Sequence, residues 1–227
     1  MQTESSTITT ASPGRKPVIS REDVIAAALK LIGPHRSVSS LSLREVSREA
    51  GIAPNSFYRQ FRDMDELAVA LIEKAGSSLR QIIGEARQRA LTGGSIVRSS
   101  VEIFMHQLGS DDKLLHILLR EGTVGSDAFK QAVDRQLNFF EEELQADLVR
   151  LARLNHTSLY EPALTAKAIT RLVFAMGSVA MDLPVAQRNE LTEQVILMVR
   201  MILTGTRSLA NNPSQTLADA PRAGALL

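Results

Sequence analysis

Between Ser20 and Asn211 apolar residues return every three or four positions, and no stretch keeps the period-two alternation of a half-buried strand. The pattern predicts an all-α protein. The first helix starts at Ser20, whose hydroxyl can cap free N–H groups with Asp23 three positions on, and it stops before Gly33-Pro34. Val24, Ile25, Ala28, Leu29 and Ile32 form its apolar face. Ser42 and Glu45 make a capping box for a short second helix with Leu43, Val46 and Ala50 inward, and Gly51 suits a left-handed stop after it. Pro54 stands where a third helix begins, a position that tolerates its missing N–H. Asp63 can cap a long fourth helix, striped by Leu67, Leu71, Ala75, Leu79, Ile82 and Ala86 and ended by Thr92-Gly93-Gly94. Further helices are predicted over 95–108, 111–119, 127–154, 163–183 and 185–209, about nine in all.

The helix from 127 keeps its rhythm through Phe129, Val133, Leu137, Phe140, Leu144, Leu148 and Leu151. The last two do so through Ile169, Leu172, Val173, Met176, Val179 and Leu183, then Leu191, Val195, Met198 and Ile202. Those final stripes can serve a dimer interface or the core of one chain. Three short helices give way to long ones near residue 66. We therefore expect a flexible basic arm over 1–19, a head over 20–66, a larger domain over 67–210 and a disordered tail over 211–227. Repeats and low-complexity tracts are absent.

Composition changes this picture little. With 227 residues, 44% of them hydrophobic, the chain can bury an ordinary core, and a net charge of +1 neither demands nor excludes nucleic acid. The absence of cysteine removes disulfides and thiolate metal sites. Residues 1–12 have no apolar stretch of the secretory kind and no run reaches a membrane span of roughly 20 apolar residues, so the expected location is the cytoplasm.

The segment Ala50–Phe61, AGIAPNSFYRQF, concentrates the candidate chemistry. Three of the chain's nine Phe and Tyr rings fall between residues 57 and 61. On a helix starting at Pro54, Phe57 and Phe61 share one stripe for burial, while Asn55, Tyr58, Arg59 and Arg62 form another. Two short helices about a glycine turn, the second exposing Asn, Ser, Tyr and Arg, match a helix-turn-helix that lays its second helix in the major groove. Arg and Asn suit guanine and adenine edges, and Tyr and Arg suit phosphate. Within 41–62, Arg44, Arg48, Arg59 and Arg62 stand against Glu45 and Glu49. In the arm, Arg15 and Lys16 lie between Pro13 and Pro17, as in extended segments that follow a minor groove.

LSLREVSREAGIAPNSFYRQFRDMDELA resembles the amino-terminal DNA-binding segment of the TetR family of repressors. GGSIVRSSVEIFM, LLREGTVGSDAFKQAV and the last two helices extend the likeness toward the branch that represses unsaturated fatty-acid synthesis, FabR and the desaturase repressor DesT. The resemblance implies a homodimer on a palindromic operator, paired through the last two helices, with a cavity for long-chain acyl-CoA or acyl-carrier-protein. It implies phosphate contacts at Tyr58 and Arg59, base-facing positions at Asn55 and Ser56, and groove contacts at Arg44. Ser42, Pro54 and Arg62 complete the expected DNA face. Met64 departs from the family's frequent lysine, so the phosphate contact made there cannot form.

For a ligand, the helices from 95 to 183 offer Phe104, Met105, Leu108, Phe129, Phe140, Phe174 and Met176, and Gly177 signals either close backbone approach or room for a guest. His116 and Arg120, four apart, could meet a polar head group. No metal or cofactor is expected, because His35, His106, His116 and His156 lack metal-ligand spacing. GTVG at 122–125 lacks the Lys-Ser/Thr of a phosphate loop, and GxSxG, GxGxxG and HExxH do not occur. A regulator of efflux or catabolic genes answering another hydrophobic ligand, and a helical lipid carrier without a DNA role, are the alternatives. An enzyme is not expected.

Overall fold

Reciprocal capping sets the first helices where the sequence places them. In the computed structural model, which describes residues 19–32, 36–90, 95–109, 115–119 and 126–212, the Ser20 amide donates to Asp23 (2.8 Å) and the Asp23 amide donates to Ser20 Oγ (3.1 Å). Helix α1 then runs Arg21–Leu31. A 3-10 turn, Val38–Ser40, precedes α2 (Leu43–Glu49), whose Ser42 and Glu45 cap each other in the same way. α3 (Pro54–Phe57) is a single turn and α4 (Met64–Ala90) spans 27 residues, about 40 Å at ~1.5 Å per residue. There follow α5 (Ile96–Gly109), α6 (115–119), α7 (Asp127–Leu154), α8 (Pro162–Ala180) and α9 (Val185–Asn211). Among the described residues there are nine α-helical segments and no strand.

α1, α2 and α3 form the head, which docks on the first turns of α4 through α1. α4 runs unbroken through residue 66, so head and body share one helix. In the body, α7 lies between α4 and α8, while α5 packs against α4, α8 and α9. Two glycines permit these approaches. A Cβ on Gly76 would overlap the Gln136 side chain, and one on Gly177 would lie 2.6 Å from the Phe104 ring. Gly177 therefore marks close packing of α8 on α5.

Several boundaries and faces differ from the sequence expectation. α8 ends at Ala180 rather than 183, because Pro184 follows and the Arg188 guanidinium donates to the freed carbonyls of Ala180 and Leu183 (3.3 Å each). On α4 it is Ile83, not Ile82, that is buried with Leu79 and Ala86. On α8 the buried face is Thr165, Ala166, Ile169, Thr170, Phe174 and Gly177, whereas Val179 is 53% exposed. α8 is the one described helix that by length and composition could cross a membrane, yet it packs on α5, α7 and α9 and carries Arg171 paired with Asp134 (2.7 Å) and Glu141 (2.6 Å). The expectations for Gly33-Pro34, Thr92-Gly93-Gly94, the arm over 1–18 and the tail from 213 lie outside the described residues, while Ile19, the last residue of the expected arm, packs against the core and accepts from Gln60 (2.9 Å).

Candidate nucleic-acid interface and body cavity

The turn between α2 and α3 is built by backbone hydrogen bonds that a glycine makes possible. The Gly51 amide donates to Arg48 O (3.1 Å) and the Ile52 amide to Ser47 O (2.9 Å), with Gly51 in the left-handed region at φ 67°. This pairing is the Schellman arrangement, which satisfies the last carbonyls of α2 and redirects the chain. α3 lasts only one turn because Ala53 supplies no side-chain cap, and the chain continues through tighter turns to Phe61. Its position is held instead by Phe57 and Phe61, both buried, with ring centroids 5.7 Å apart. Arg21 locks the far side, lying over the Phe61 ring (4.0 Å) while donating to Gln60 O and Glu66 (2.8 Å each).

That anchoring leaves a row of donors facing solvent. Arg44, Arg48, Asn55, Tyr58 and Arg59 are exposed, and their polar groups make no side-chain hydrogen bond or ion pair among the described residues. Ser56 is half-buried at the same end and Pro54 is exposed beside it. Ser42 is exposed too, but its hydroxyl is engaged with Glu45 (2.8 Å). Arg62 holds Asp63 (3.1 Å), so it meets an anion only by sharing or leaving that carboxylate. Arg15 and Lys16 lie outside the described residues.

The two acidic residues of the 41–62 segment, Glu45 and Glu49, are neutralised from outside it. Arg36 meets Glu45 at 2.9 Å and Lys30 meets Glu49 at 3.6 Å. The Arg36 hydrogen bond, followed by those from Ser42, holds the Glu45 carboxyl down to about 2. A carboxylate depressed on folding contributes stability that is complete above its ordinary value near 4.5 and is lost as pH falls toward 2. Comparing the acid unfolding of the native chain and Glu45→Gln should show the native chain losing its advantage between those limits. Parallel curves would remove the cap's electrostatic role. With Glu45 and Glu49 paired, Arg44, Arg48 and Arg59 present uncompensated charge at one end of the molecule.

The body holds a second feature, a cavity of about 290 Å³ between α4, α5, α7, α8 and α9. Phe104, Phe140 and Phe174 meet in its wall, with Phe174 centroids 5.2 and 5.1 Å from the other two. Leu144, Leu148, Val173, Val199 and Leu203 extend the apolar lining. Among the described residues, these three phenylalanines are the members of the expected ligand set that stand in the wall. Met105, Leu108 and Phe129 are core residues at 3% exposure each, packed away from the space, and Gly177 is occupied by its contact with Phe104. Met176 and His116 are half-buried outside the lining, and Arg120 lies outside the described residues.

Sequence reasoning missed the polar wall: Arg87, Ser95, Ser100, Asp147, Asn155, Thr157, Thr170 and Arg207. These positions carry no local motif; five helices and a loop bring them together. The loop after α7 is tightly specified. Thr157 N donates to Ala152 O (2.9 Å), and His156 (φ 51°) and Glu161 (φ 45°) are left-handed. Non-glycine residues adopt that conformation at a cost of roughly 1 kcal/mol each. Among the described residues no cluster of three or more His, Asp or Glu could hold a metal.

Comparison with known proteins converges on the same two-part arrangement. The family described as bacterial regulatory proteins, tetR family, matches residues 24–71, which span α1 through the first turns of α4. Among solved structures, a tetR-family transcriptional regulator from Streptomyces coelicolor is 21% identical with a TM-score of 0.63, covering 93% of each chain. E. coli NemR in its reduced form is 22% identical (TM-score 0.60; 81% of this chain, 97% of that one). The multidrug binding protein EbrR complexed with imidazole is 17% identical (TM-score 0.61; 81% and 94%). Residues 24–71 are thus a TetR-family N-terminal domain, carried on a body with the fold of TetR-family regulators.

Proposed function

We propose that the protein is a dimeric, sequence-specific DNA-binding repressor whose body cavity receives a hydrophobic effector. The observation that carries this reading is the row Arg44, Arg48, Asn55, Tyr58 and Arg59, which the fold anchors from behind and whose polar groups it leaves without hydrogen-bond or ion-pair partners among the described residues. A helical lipid carrier would have no use for such a row. The α8 and α9 faces support a two-fold pairing: Leu164, Val179, Leu197 and Met201 are each more than half exposed on two adjacent antiparallel helices.

The genes controlled are those of unsaturated fatty-acid synthesis or desaturation, and the effector is an acyl thioester, a reading that rests on the sequence resemblance and on the apolar, partly open cavity. An apolar space of ~150 Å³ accommodates benzene, so 290 Å³ takes about a dozen carbon atoms. Longer chains then require the helices to separate, which ties chain length to conformation. The likeness to a multidrug binding protein supports a second reading, in which the cavity answers another amphipathic compound.

The test is a fluorescence-anisotropy titration against the protein's own upstream DNA and a fatty-acid synthesis promoter, at two salt concentrations, with saturated and unsaturated acyl-CoA. Selective binding that the two thioesters shift in opposite senses is expected. Tyr58→Phe and Arg59→Ala should weaken binding to all DNA while sparing ligand binding, Arg59→Ala also lowering the salt slope by about 1. Unchanged operator affinity in both variants would refute the phosphate role.

A further inference from the structure

The cavity wall carries positive charge that its neighbours do not cancel. Arg80 Nε lies 3.2 Å from Glu143, Arg87 Nη2 3.6 Å from Glu143, Arg87 Nε 2.6 Å from Asp147, and Arg150 Nη2 2.6 Å from Asp147. Three guanidiniums thus share two carboxylates, an excess of one positive charge. Arg87 is 8% exposed, and although its Nε is close to Asp147 the pair lacks hydrogen-bond alignment, so that buried N–H remains unsatisfied. Ser100 Oγ, in the same wall, is also buried without a hydrogen-bond partner among the described residues. Toward the carboxyl-terminal end of α9, Arg207 lines the space, exposed and without an ion-pair partner among the described residues. Asp147 is the one acidic side chain in the lining, and it is already held by two arginines.

Among the described residues the buried Arg87 Nε lacks an aligned acceptor and Arg207 lacks a counter-charge, and a guest that carries an acceptor of negative sign supplies both. A lipophilic cation would face Arg87 and Arg207 with no free carboxylate to receive it. From this geometry we infer that the effector is an anionic amphiphile: an apolar body of about a dozen carbons against Phe104, Phe140 and Phe174, with its acidic group held by Arg207, the residue that selects for the charge. The inference rests on the proposed role of the cavity as the effector site. The negative charge can belong to a free carboxylate or to the phosphates of a thioester carrier.

Calorimetric titration of the full chain with decanoate, decanol, decyltrimethylammonium and decanoyl-coenzyme A, at one pH and ionic strength and below micelle formation, distinguishes these cases. Decanoate or decanoyl-coenzyme A should bind at least about tenfold more tightly than decanol, and the cation should not bind. Arg207→Gln should erase that preference and leave decanol affinity unchanged. Dependence on Arg207 for decanoate alone identifies the free acid as the ligand, and for the thioester alone the carrier. Equal binding of decanol and both anions, or a preference that survives in Arg207→Gln, overturns the charge assignment while leaving the cavity as the effector site. No binding by any of the four probes at millimolar concentration overturns both.

Discussion

A chain carrying Leu197→Arg and Met201→Arg is expected to sediment as a monomer at micromolar concentration, with its helical content intact and its operator affinity lowered by about 10²- to 10³-fold. Leu197 and Met201 are 55% and 63% exposed, one turn apart on α9, so arginine at either position enters solvent without disturbing the core residues Val195, Ile196 and Val199. In a two-fold dimer each substitution appears twice. Covering an apolar side chain of this size contributes on the order of 1.5–3 kcal/mol, and the variant replaces that gain with like charges facing one another. Operator affinity falls because one head alone loses the effective concentration that a linked second head supplies, typically a factor of 10² to 10⁴. Equilibrium sedimentation and anisotropy on the same preparation separate the steps. A variant that stays dimeric would place the interface elsewhere, and a monomer with undiminished operator affinity would show that the heads act singly.

The head was legible in the sequence because its devices are local. Ser20 with Asp23, Ser42 with Glu45, Gly51, Pro54 and the Phe57–Phe61 pair each act within four residues, and the structure shows each doing what its chemistry allows. What the sequence obscured was charge. Glu45 and Glu49 offset two arginines in a count over 41–62, yet Arg36 and Lys30, from outside that window, neutralise both. Nor does spacing choose between two faces that are both apolar. On α8, Leu172 and Val179 keep the helical period as well as Phe174 and Gly177 do, and only the packing against α5 and α7 decides which side is core. The Ile82–Ile83 pair poses the same problem on α4, where a stripe can step by three before four or by four before three.

The cavity was less legible for a related reason. Large aromatic side chains mark an apolar interior wherever they occur, so Phe104, Phe140 and Phe174 were found alongside Phe129, Met105 and Leu108, which fill space rather than border it. Arg87 and Arg207, 120 positions apart, have nothing in their flanking residues to distinguish them from surface arginines. Their placement depends on α4 and α9 both packing against α5, which is a property of the assembled bundle. Arg98 ties the same helices together, binding Glu193 through two nitrogens at 2.6 and 2.8 Å.

Phe57→Ala is expected to unfold the head while the body remains folded, dimeric and able to bind ligand. Phe57 has no exposed surface; its ring meets Phe61 at 5.7 Å and Tyr58 edge-on at 5.8 Å. Truncating a buried phenylalanine costs about 3–5 kcal/mol. The head cannot absorb that loss: α2 has seven residues and α3 four, lengths at which helices do not persist without tertiary packing. The body relies on a separate set of contacts, with Phe140, Phe174, Val195 and Val199 all buried and distant in sequence from the lesion. Hydrogen exchange should therefore show protection lost across α1, α2 and α3 and retained across α7, α8 and α9, with operator binding abolished and effector binding unchanged. Phe57→Leu, which keeps most of the buried volume, should restore partial protection. Uniform loss across all the helices would instead mean that head and body unfold as one cooperative unit through the shared α4, and unaltered protection would mean that the ring does not anchor the recognition turn.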